Sequence, residues 1–352
     1  MAAPFVPGLE LAGAFYTEVV RPLLDEAHPG LPHAAALLGP GSEVLGYDSQ
    51  RSADHDWGPR LQVLLAADDG LAAEITAMLA RRLPESFRGY RTAFHSTHEP
   101  GGPPRHHVTV AGLRKWLTGR LGFDPLLPVT TPDWLATPTQ SLAEITSGAV
   151  FHDGPGDLSR ARTRLAWYPG DIWRYVLACQ WQRVAEEEAF PGRCAEAGDG
   201  LGSAVVTARL ARDLMRLCLL MCRRYPPYSK WLGTAAARLP EAAPVIAALA
   251  AAVTAPAWPA REHALCQALE AAAVLHNDLG ITPPLDPRPR PYFDRPFLVL
   301  DAGRLTAALR ESITDPRVRH LPGYGAADQF VDSTDALGDT TLLRAAIAAG
   351  QL

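Results

Sequence analysis

Two aspartates, Asp54 and Asp56, stand two positions apart in the string ADHDWGPRLQVLL. Arg60–Leu65 has the composition of a β-strand, which places the aspartates at or just inside that strand. Residues two apart on a strand share a face, and two carboxylates a few Å apart repel unless a cation or a shared proton intervenes. Hard oxygen ligands of this kind predict a site for Mg²⁺ or Mn²⁺. A capped turn is the structural alternative for Asp-His-Asp alone.

A glycine and a serine, Gly41 and Ser42, precede this pair in the same stretch. Glycine lets a phosphate approach the backbone, and the serine hydroxyl and neighbouring N–H groups can donate to phosphate oxygens. We add Ser52 to the predicted nucleotide-binding residues. Phosphate beside a metal pair predicts nucleotidyl transfer, in which the ion orients a triphosphate while an acceptor oxygen attacks the α-phosphorus.

At these residues the chain resembles the polymerase-β-like nucleotidyltransferase superfamily. Its signature is an apolar residue, Gly-Gly or Gly-Ser, a spacer, and then Asp-x-Asp or Asp-x-Glu. The wider string GSEVLGYDSQRSADHDWGPR is more similar to one bacterial branch of that superfamily, known as a domain of unknown function. The likeness continues through TPDWLATPTQSLAEITSGAVFHDG, YPGDIWRYVLACQWQRVAEEEAFPGRC, YPPYSKWLG and DQFVDSTD, so it covers most of the chain.

The resemblance implies a third carboxylate on the strand that corresponds to residues 107–110, and this chain has none there. His106 and His107 are the nearest polar residues, with the end of a solvated loop as their structural alternative. Asp153 and Glu144 are two further candidates that would converge from the next strand or helix. For Asp153, which precedes a glycine, ordinary turn chemistry is the competing account.

The elements that must position these residues fall into an α+β pattern. Apolar spacing predicts helices over residues 8–27 and 69–83 beside short strands, followed by helix upon helix after residue 159. We therefore predict an N-terminal α/β domain with a small mixed sheet at residues 1–158, and a mainly helical domain with a C-terminal extension at residues 159–352. The long helices are predicted over residues 171–188, 203–224, 229–239, 241–253 and 259–279.

Lys230, in the string YPPYSKWLG, is the candidate from the helical half. It follows a proline-stiffened turn at a helix start, where the helix dipole does not favour a cation. The superfamily resemblance implies a substrate cleft between the two domains. Lys230 is therefore predicted to contact the triphosphate, with a surface ion pair as the alternative.

The composition limits which classes of molecule the protein is expected to act on and where it is expected to be located. The net charge is −5, and the 33 lysines and arginines are scattered, so nucleic acid is not the expected acceptor. The five cysteines are odd in number, which favours reduced thiols over a disulfide framework, and neither a signal peptide nor a membrane span is indicated. The sequence predicts a cytoplasmic protein and leaves its oligomeric state open.

Two classes of function follow. The first is an enzyme that transfers a nucleoside monophosphate, AMP from ATP, to a hydroxyl of a small molecule, with a protein side chain as a second kind of acceptor. The second is a nucleotide-binding or regulatory module that keeps the fold and the metal pair but has lost the catalytic base. The missing strand carboxylate is the feature that favours the second class.

Overall fold

The computed structural model describes residues 5–54, 57–67, 70–95 and 103–350. The chain forms two compact units. The first unit comprises the described residues up to Val129 together with Ser141–Ala166, and the second comprises Thr130–Gln140 and the described residues from Trp167 onward. The fold is α+β, as predicted, whereas the functional division at residue 158 stays a prediction.

A mixed five-stranded sheet forms the centre of the first unit, in the order β5-β6-β2-β1-β7. Strand β2 pairs in parallel with β6 and antiparallel with β1, while β7 pairs antiparallel with β1 and β5 antiparallel with β6. The strands predicted from residues 60–65 and 107–110 are confirmed. The strands of this unit are β1 His33–Leu37, β2 Arg60–Leu65, β3 Ser86–Phe87, β4 Tyr90–Arg91, β5 Ala93–Phe94, β6 Arg105–Gly112 and β7 Ala149–Asp153.

The helix predicted over residues 8–27 exists as α1 Gly8–Phe15, a π-helical segment Tyr16–Val20, and α2 Arg21–Ala27. Its apolar face packs with α3 Leu71–Arg82 on one face of the sheet. Alternate residues of β2 enter this core because side chains alternate along a strand. Buried members of the core include Leu11, Phe15, Val20, Leu24, Leu61, Val63, Leu65, Ile75 and Leu79.

Further helices complete the first unit. Helix α4 covers Leu113–Leu121 and begins directly where β6 ends. Helix α6, Thr139–Thr146, belongs to the first unit from Ser141 onward, and α7 covers Asp157–Leu165. In the second unit, α5 covers Thr131–Ala136.

The second unit is mainly helical, and its five long predicted helices are confirmed within a few residues at each end. Two short strands, β8 Arg290–Pro291 and β9 Leu298–Val299, pair antiparallel in its C-terminal part. The α-helices of this unit that follow α5 are α8 Gly170–Glu187, α9 Phe190–Glu196, α10 Gly200–Met221, α11 Ser229–Ala237, α12 Ala243–Thr254, α13 Trp258–Asp278, α14 Gly303–Ser312, α15 Pro316–Arg319, α16 Ala327–Phe330, α17 Thr334–Gly338 and α18 Thr340–Gly350.

No single helix within the described ranges has both the length and the apolar composition needed to cross a membrane. Two consecutive segments, Ser229–Ala237 and Pro240–Thr254, meet that test only when taken together, and they are bent by 88°.

A fully buried histidine, His276, lies near the end of α13. Its Nδ1 accepts a hydrogen bond from the indole N–H of Trp181 at 3.2 Å, and its Nε2 lies 3.1 Å from the hydroxyl of Thr282. The indole can only donate, so the ring proton must stand on Nε2. Burial lowers the pKa of His276 from 6.5 to about 4. His276 is therefore a neutral core residue.

This burial predicts a pH-dependent stability. Because the native pKa of His276 lies below its unfolded value, its contribution is complete above pH 6.5 and is lost as the pH falls through 4. The full loss amounts to about 3 kcal/mol. Urea denaturation at several pH values should show a flatter acid limb for His276→Gln than for the wild type. The exposed His263 of the same helix supplies the control, His263→Gln, which should keep the wild-type slope.

Candidate functional site

The glycine turn, residues 39–43, follows the C-terminal end of β1 in the first unit. Gly39 and Gly41 have φ angles of +85° and +146°, a region that side-chain-bearing residues rarely adopt. The N–H of Gly39 donates to the carbonyl of Glu144 at 3.0 Å, and the N–H of Gly148 donates to the carbonyl of Val44 at 2.8 Å. The end of α6 and the residues after it therefore anchor the turn on both sides.

The end of α6 is itself held by a partly buried cation. Arg162 of α7 donates to three carbonyls there, those of Ile145 at 3.0 Å and of Thr146 and Ser147 at 2.8 Å each. These carbonyls have no partner within the helix, and a cation is favoured at this end of the helix dipole. Burial lowers the pKa of Arg162. Arg162 thus fixes the backbone on which the glycine turn rests.

A buried ion pair closes the glycine turn from the side of β2. The carboxylate of Glu43, which is only 3% exposed, accepts from Arg60 at 2.7 Å (Nε) and 2.6 Å (Nη2). The same Nη2 also donates to the carbonyl of Pro40 at 2.6 Å. Two residues further along β2, the amide of Gln62 accepts from the N–H of Leu38 at 2.9 Å and donates to its carbonyl at 3.1 Å. One face of β2 therefore fixes the backbone of the turn.

The glycine turn presents donors that no described residue uses. Among the described residues, neither the N–H groups of Gly41 and Ser42 nor the hydroxyl of Ser42 have a hydrogen-bond partner. Both residues are half-buried. Consecutive unpaired N–H groups in a turn form a concavity that binds anions. The turn is thus equipped to receive a phosphate or another small oxyanion.

Arg120 of α4 lies against the same turn. A Cβ placed on Gly39 would stand 3.2 to 3.3 Å from atoms of the Arg120 guanidinium, so the cation approaches the backbone closely. Its Nη1 lies 3.7 Å from the carboxylate of Glu144, and its guanidinium lies 5.3 Å from the centroid of the Trp116 ring. Burial lowers the pKa of Arg120, Glu144 opposes that shift and Arg60 adds to it. Sequence reasoning missed this residue, because no motif marks it and only the fold brings it to Gly39.

The predicted placement of the aspartates on a strand is wrong for Asp54. Asp54 ends a 3₁₀ helix, Gln50–Asp54, and β2 begins only at Arg60. A local turn competes with the extended chain here, since Ser52 N–H donates to the Ser49 carbonyl at 2.8 Å and Ser49 N–H donates to the Ser52 hydroxyl at 3.1 Å. Asp56 lies outside the described residues. The metal pair stays a prediction.

The other predicted ligand-binding residues, Ser52 and Lys230, make contacts of their own. The hydroxyl of Ser52 serves the local turn just described. Lys230 is exposed in α11 of the second unit, with its Nζ 5.1 Å from the centroid of the Trp231 ring. The structure therefore brings Gly41 and Ser42 into one turn, while the roles of Ser52 and Lys230 in nucleotide binding stay predictions.

Four residues were candidates to replace the third carboxylate that β6 lacks. Three of them make structural contacts, and one lies beside the glycine turn. His106 Nε2 lies 3.2 Å from the carbonyl of Thr76, and His107 stacks on Phe94 with ring centroids 3.7 Å apart. The carboxylate of Asp153 accepts from two N–H groups at the start of α7, which is turn chemistry. Glu144 alone contacts the glycine turn. Among the described residues, no group of three or more His, Cys, Asp or Glu side chains is arranged to hold a metal ion.

Part of this chain is similar to a known protein family. Residues 134–232 match the family described as Domain of unknown function (DUF4037), which confirms the predicted resemblance to such a domain over that stretch. The matched stretch contains Lys230 but not the glycine turn.

The chain is also similar to a nucleotidyltransferase-like protein from Exiguobacterium sibiricum whose crystal structure is known. The two share 12% sequence identity with a TM-score of 0.34, over 84% of this chain and 88% of that one. A likeness this low carries no argument about function. No protein of curated function matches the chain.

The glycine turn predicts a sharp difference between two glycine substitutions. In Gly41→Ala the new Cβ would collide with the Arg60 guanidinium and the Glu43 carboxylate at a φ of +146°, so the free energy of unfolding should fall by about 2 kcal/mol or more. Gly119→Ala is the matched control, because no atom lies within 4 Å of that Cβ and alanine favours the interior of α4. Urea denaturation should show Gly119→Ala unchanged or more stable. Equal stability of the two variants would contradict the described geometry.

Proposed function

We propose that this protein is a nucleotidyltransferase that moves a nucleoside monophosphate, AMP from ATP, to a hydroxyl of a small molecule. One observation carries the proposal: the glycine turn offers unpaired donors on Gly41 and Ser42, held in place by the buried pair of Glu43 and Arg60. Backbone N–H groups and a hydroxyl in this arrangement match the acceptor oxygens of a phosphate chain. The β- and γ-phosphates of the triphosphate would bind there.

The divalent ion would be held by Asp54 and Asp56. Their carboxylates would supply hard oxygen ligands, which suit Mg²⁺ or Mn²⁺. When bound, the ion would neutralise charge on the phosphate oxygens. The protein groups then have the task of positioning, because phosphoryl chemistry depends mainly on alignment and electrostatics.

The reaction would join the acceptor oxygen to the α-phosphorus and break the bond between that phosphorus and the bridging oxygen of the β-phosphate. Pyrophosphate leaves with the electrons of the broken bond, and the proton of the acceptor hydroxyl passes to solvent water. Ser52 and Lys230 are the further residues proposed to contact the nucleotide.

The scattered basic residues and the net charge of −5 support a small-molecule acceptor over nucleic acid. A protein hydroxyl is the second kind of acceptor, and the cytoplasm is the proposed location.

A nucleotide-binding module without catalysis is the second candidate, and the structure of β6 favours it. The strand carries no carboxylate, and both of its histidines make structural contacts, His106 with a carbonyl and His107 with an aromatic ring. Such a module would bind the triphosphate in the glycine turn and release it unchanged. Production of pyrophosphate separates the two candidates.

The proposal predicts metal-dependent binding of a triphosphate. A ligand that binds only the native state must raise its stability, so ATP with Mg²⁺ should raise the melting temperature of the wild type. The double variant Asp54→Asn/Asp56→Asn should melt like the wild type without ligand and lose the Mg²⁺-dependent part of the shift. Titration of each nucleoside triphosphate with and without Mg²⁺ measures both.

Two results would count against this proposal. If no triphosphate shifts the wild type, the nucleotide site is wrong. If the double variant keeps the full metal-dependent shift, the two aspartates do not hold the ion. A shift without pyrophosphate release, in the presence of a broad panel of hydroxyl compounds, would support the non-catalytic module.

A further inference from the structure

Arg120 is a cation at the glycine turn whose anionic neighbour, Glu144, lies beyond hydrogen-bonding distance. We propose that the guanidinium of Arg120 binds the terminal phosphates of a nucleoside triphosphate whose phosphate chain lies in the glycine turn. This inference rests on the proposed function and adds a binding residue from α4, outside the Gly-Ser and Asp-x-Asp motif.

The position of Arg120 follows from the absence of a side chain at Gly39. Atoms of the guanidinium lie 3.2 to 3.3 Å from the place where a Cβ would stand, so any larger residue would displace the cation. Gly39 is two residues from Gly41, the first residue with an unpaired N–H. An anion bound to the N–H groups of Gly41 and Ser42 would therefore have a guanidinium beside the same short turn.

The two arginines at the turn are engaged to different degrees. Arg60 contacts the Glu43 carboxylate at 2.6 Å, and its side chain is only 18% exposed. Arg120 is 3.7 Å from the Glu144 carboxylate, which exceeds hydrogen-bonding distance, and its side chain is 38% exposed. Among the described residues no acceptor receives a hydrogen bond from Arg120. The guanidinium of Arg60 thus holds the turn together, whereas the N–H groups of Arg120 are available to a ligand.

The surroundings of Arg120 also favour an added anion. Burial lowers the pKa of Arg120, and the nearby Arg60 lowers it further; a phosphate bound beside the two cations would relieve their repulsion. The Trp116 ring, 5.3 Å from the guanidinium carbon, restricts the orientation of the fork. A planar fork that is already oriented can bind two phosphate oxygens at once.

The proposal predicts that the contribution of Arg120 to affinity depends on how many phosphates the ligand carries. The glycine turn is the proposed site of the β- and γ-phosphates, so Arg120 should contribute to binding of ATP and of inorganic tripolyphosphate. AMP lacks both phosphates and should bind with an affinity that does not depend on Arg120. A guanidinium that only supported the fold would affect all three ligands alike.

Isothermal titration with ATP, tripolyphosphate and AMP, each with Mg²⁺, tests this on the wild type and three variants. Arg120→Gln should weaken ATP and tripolyphosphate about tenfold or more and change AMP by less than about twofold. Arg120→Lys should fall between, because lysine keeps the charge but not the fork. Arg114→Gln is the matched control on the same helix, since Arg114 is 56% exposed and pairs with Asp124. It should bind all three ligands like the wild type.

Each other outcome identifies which idea is wrong. If the wild type binds ATP and Arg120→Gln binds it within about twofold as well, the role of Arg120 is overturned while the proposed function stands. An equal loss for ATP and AMP in Arg120→Gln, with wild-type affinities in Arg120→Lys, would also overturn the role in terminal-phosphate binding. If the wild type binds neither ATP nor tripolyphosphate, the proposed function and this inference are both wrong. Melting curves of the four proteins without ligand show whether folding has changed.

Discussion

The buried ion pair of Glu43 and Arg60 is the interaction on which the candidate site depends. A charge removed from water must have a partner, so neither residue can be deleted alone without leaving the other uncompensated. The pair also fixes the register of β2. Arg60 and Gln62 face the glycine turn, whereas Leu61 and Val63 enter the apolar core on the other face. A shift of one position would bury the cation in the core and expose the leucine, so the alternation of β2 specifies both the core and the turn.

The same alternation explains why much of the first unit is predictable from sequence. The run Arg60–Leu65 is visible as a strand, and the glycines of the turn are visible because few other residues tolerate their backbone angles. The long helices of the second unit are equally visible from their apolar spacing. These features are local or periodic, and each residue type favours the structure that it adopts.

Two kinds of feature could not be predicted from the sequence: those in which two local structures compete, and those that depend on contacts between residues far apart in the chain. The nearness of Asp54 to Arg60 predicts a strand, but hydrogen bonds between Ser49 and Ser52 stabilise a 3₁₀ turn instead. Arg120 is one of many arginines on helices, and nothing local distinguishes it from Arg114, which only pairs with an exposed neighbour. Its importance arises from contact with Gly39. Periodicity cannot reveal such a contact, because the contact is made by the fold and not by the helix.

The anchoring of the glycine turn on the end of α6 has a consequence for the order in which the protein is made. Gly39 and Val44 bind Glu144 and Gly148, and β1 also pairs with β7, all of which are synthesised much later than the motif. A nascent chain that ends before these residues contains every element of the Gly-Ser motif but cannot shape it. Contacts of such long sequence separation form slowly and depend on loop closure. The ribosome therefore releases the Gly-Ser motif well before the residues that shape it, and the glycine turn takes its native form only when residues 144–162 have emerged.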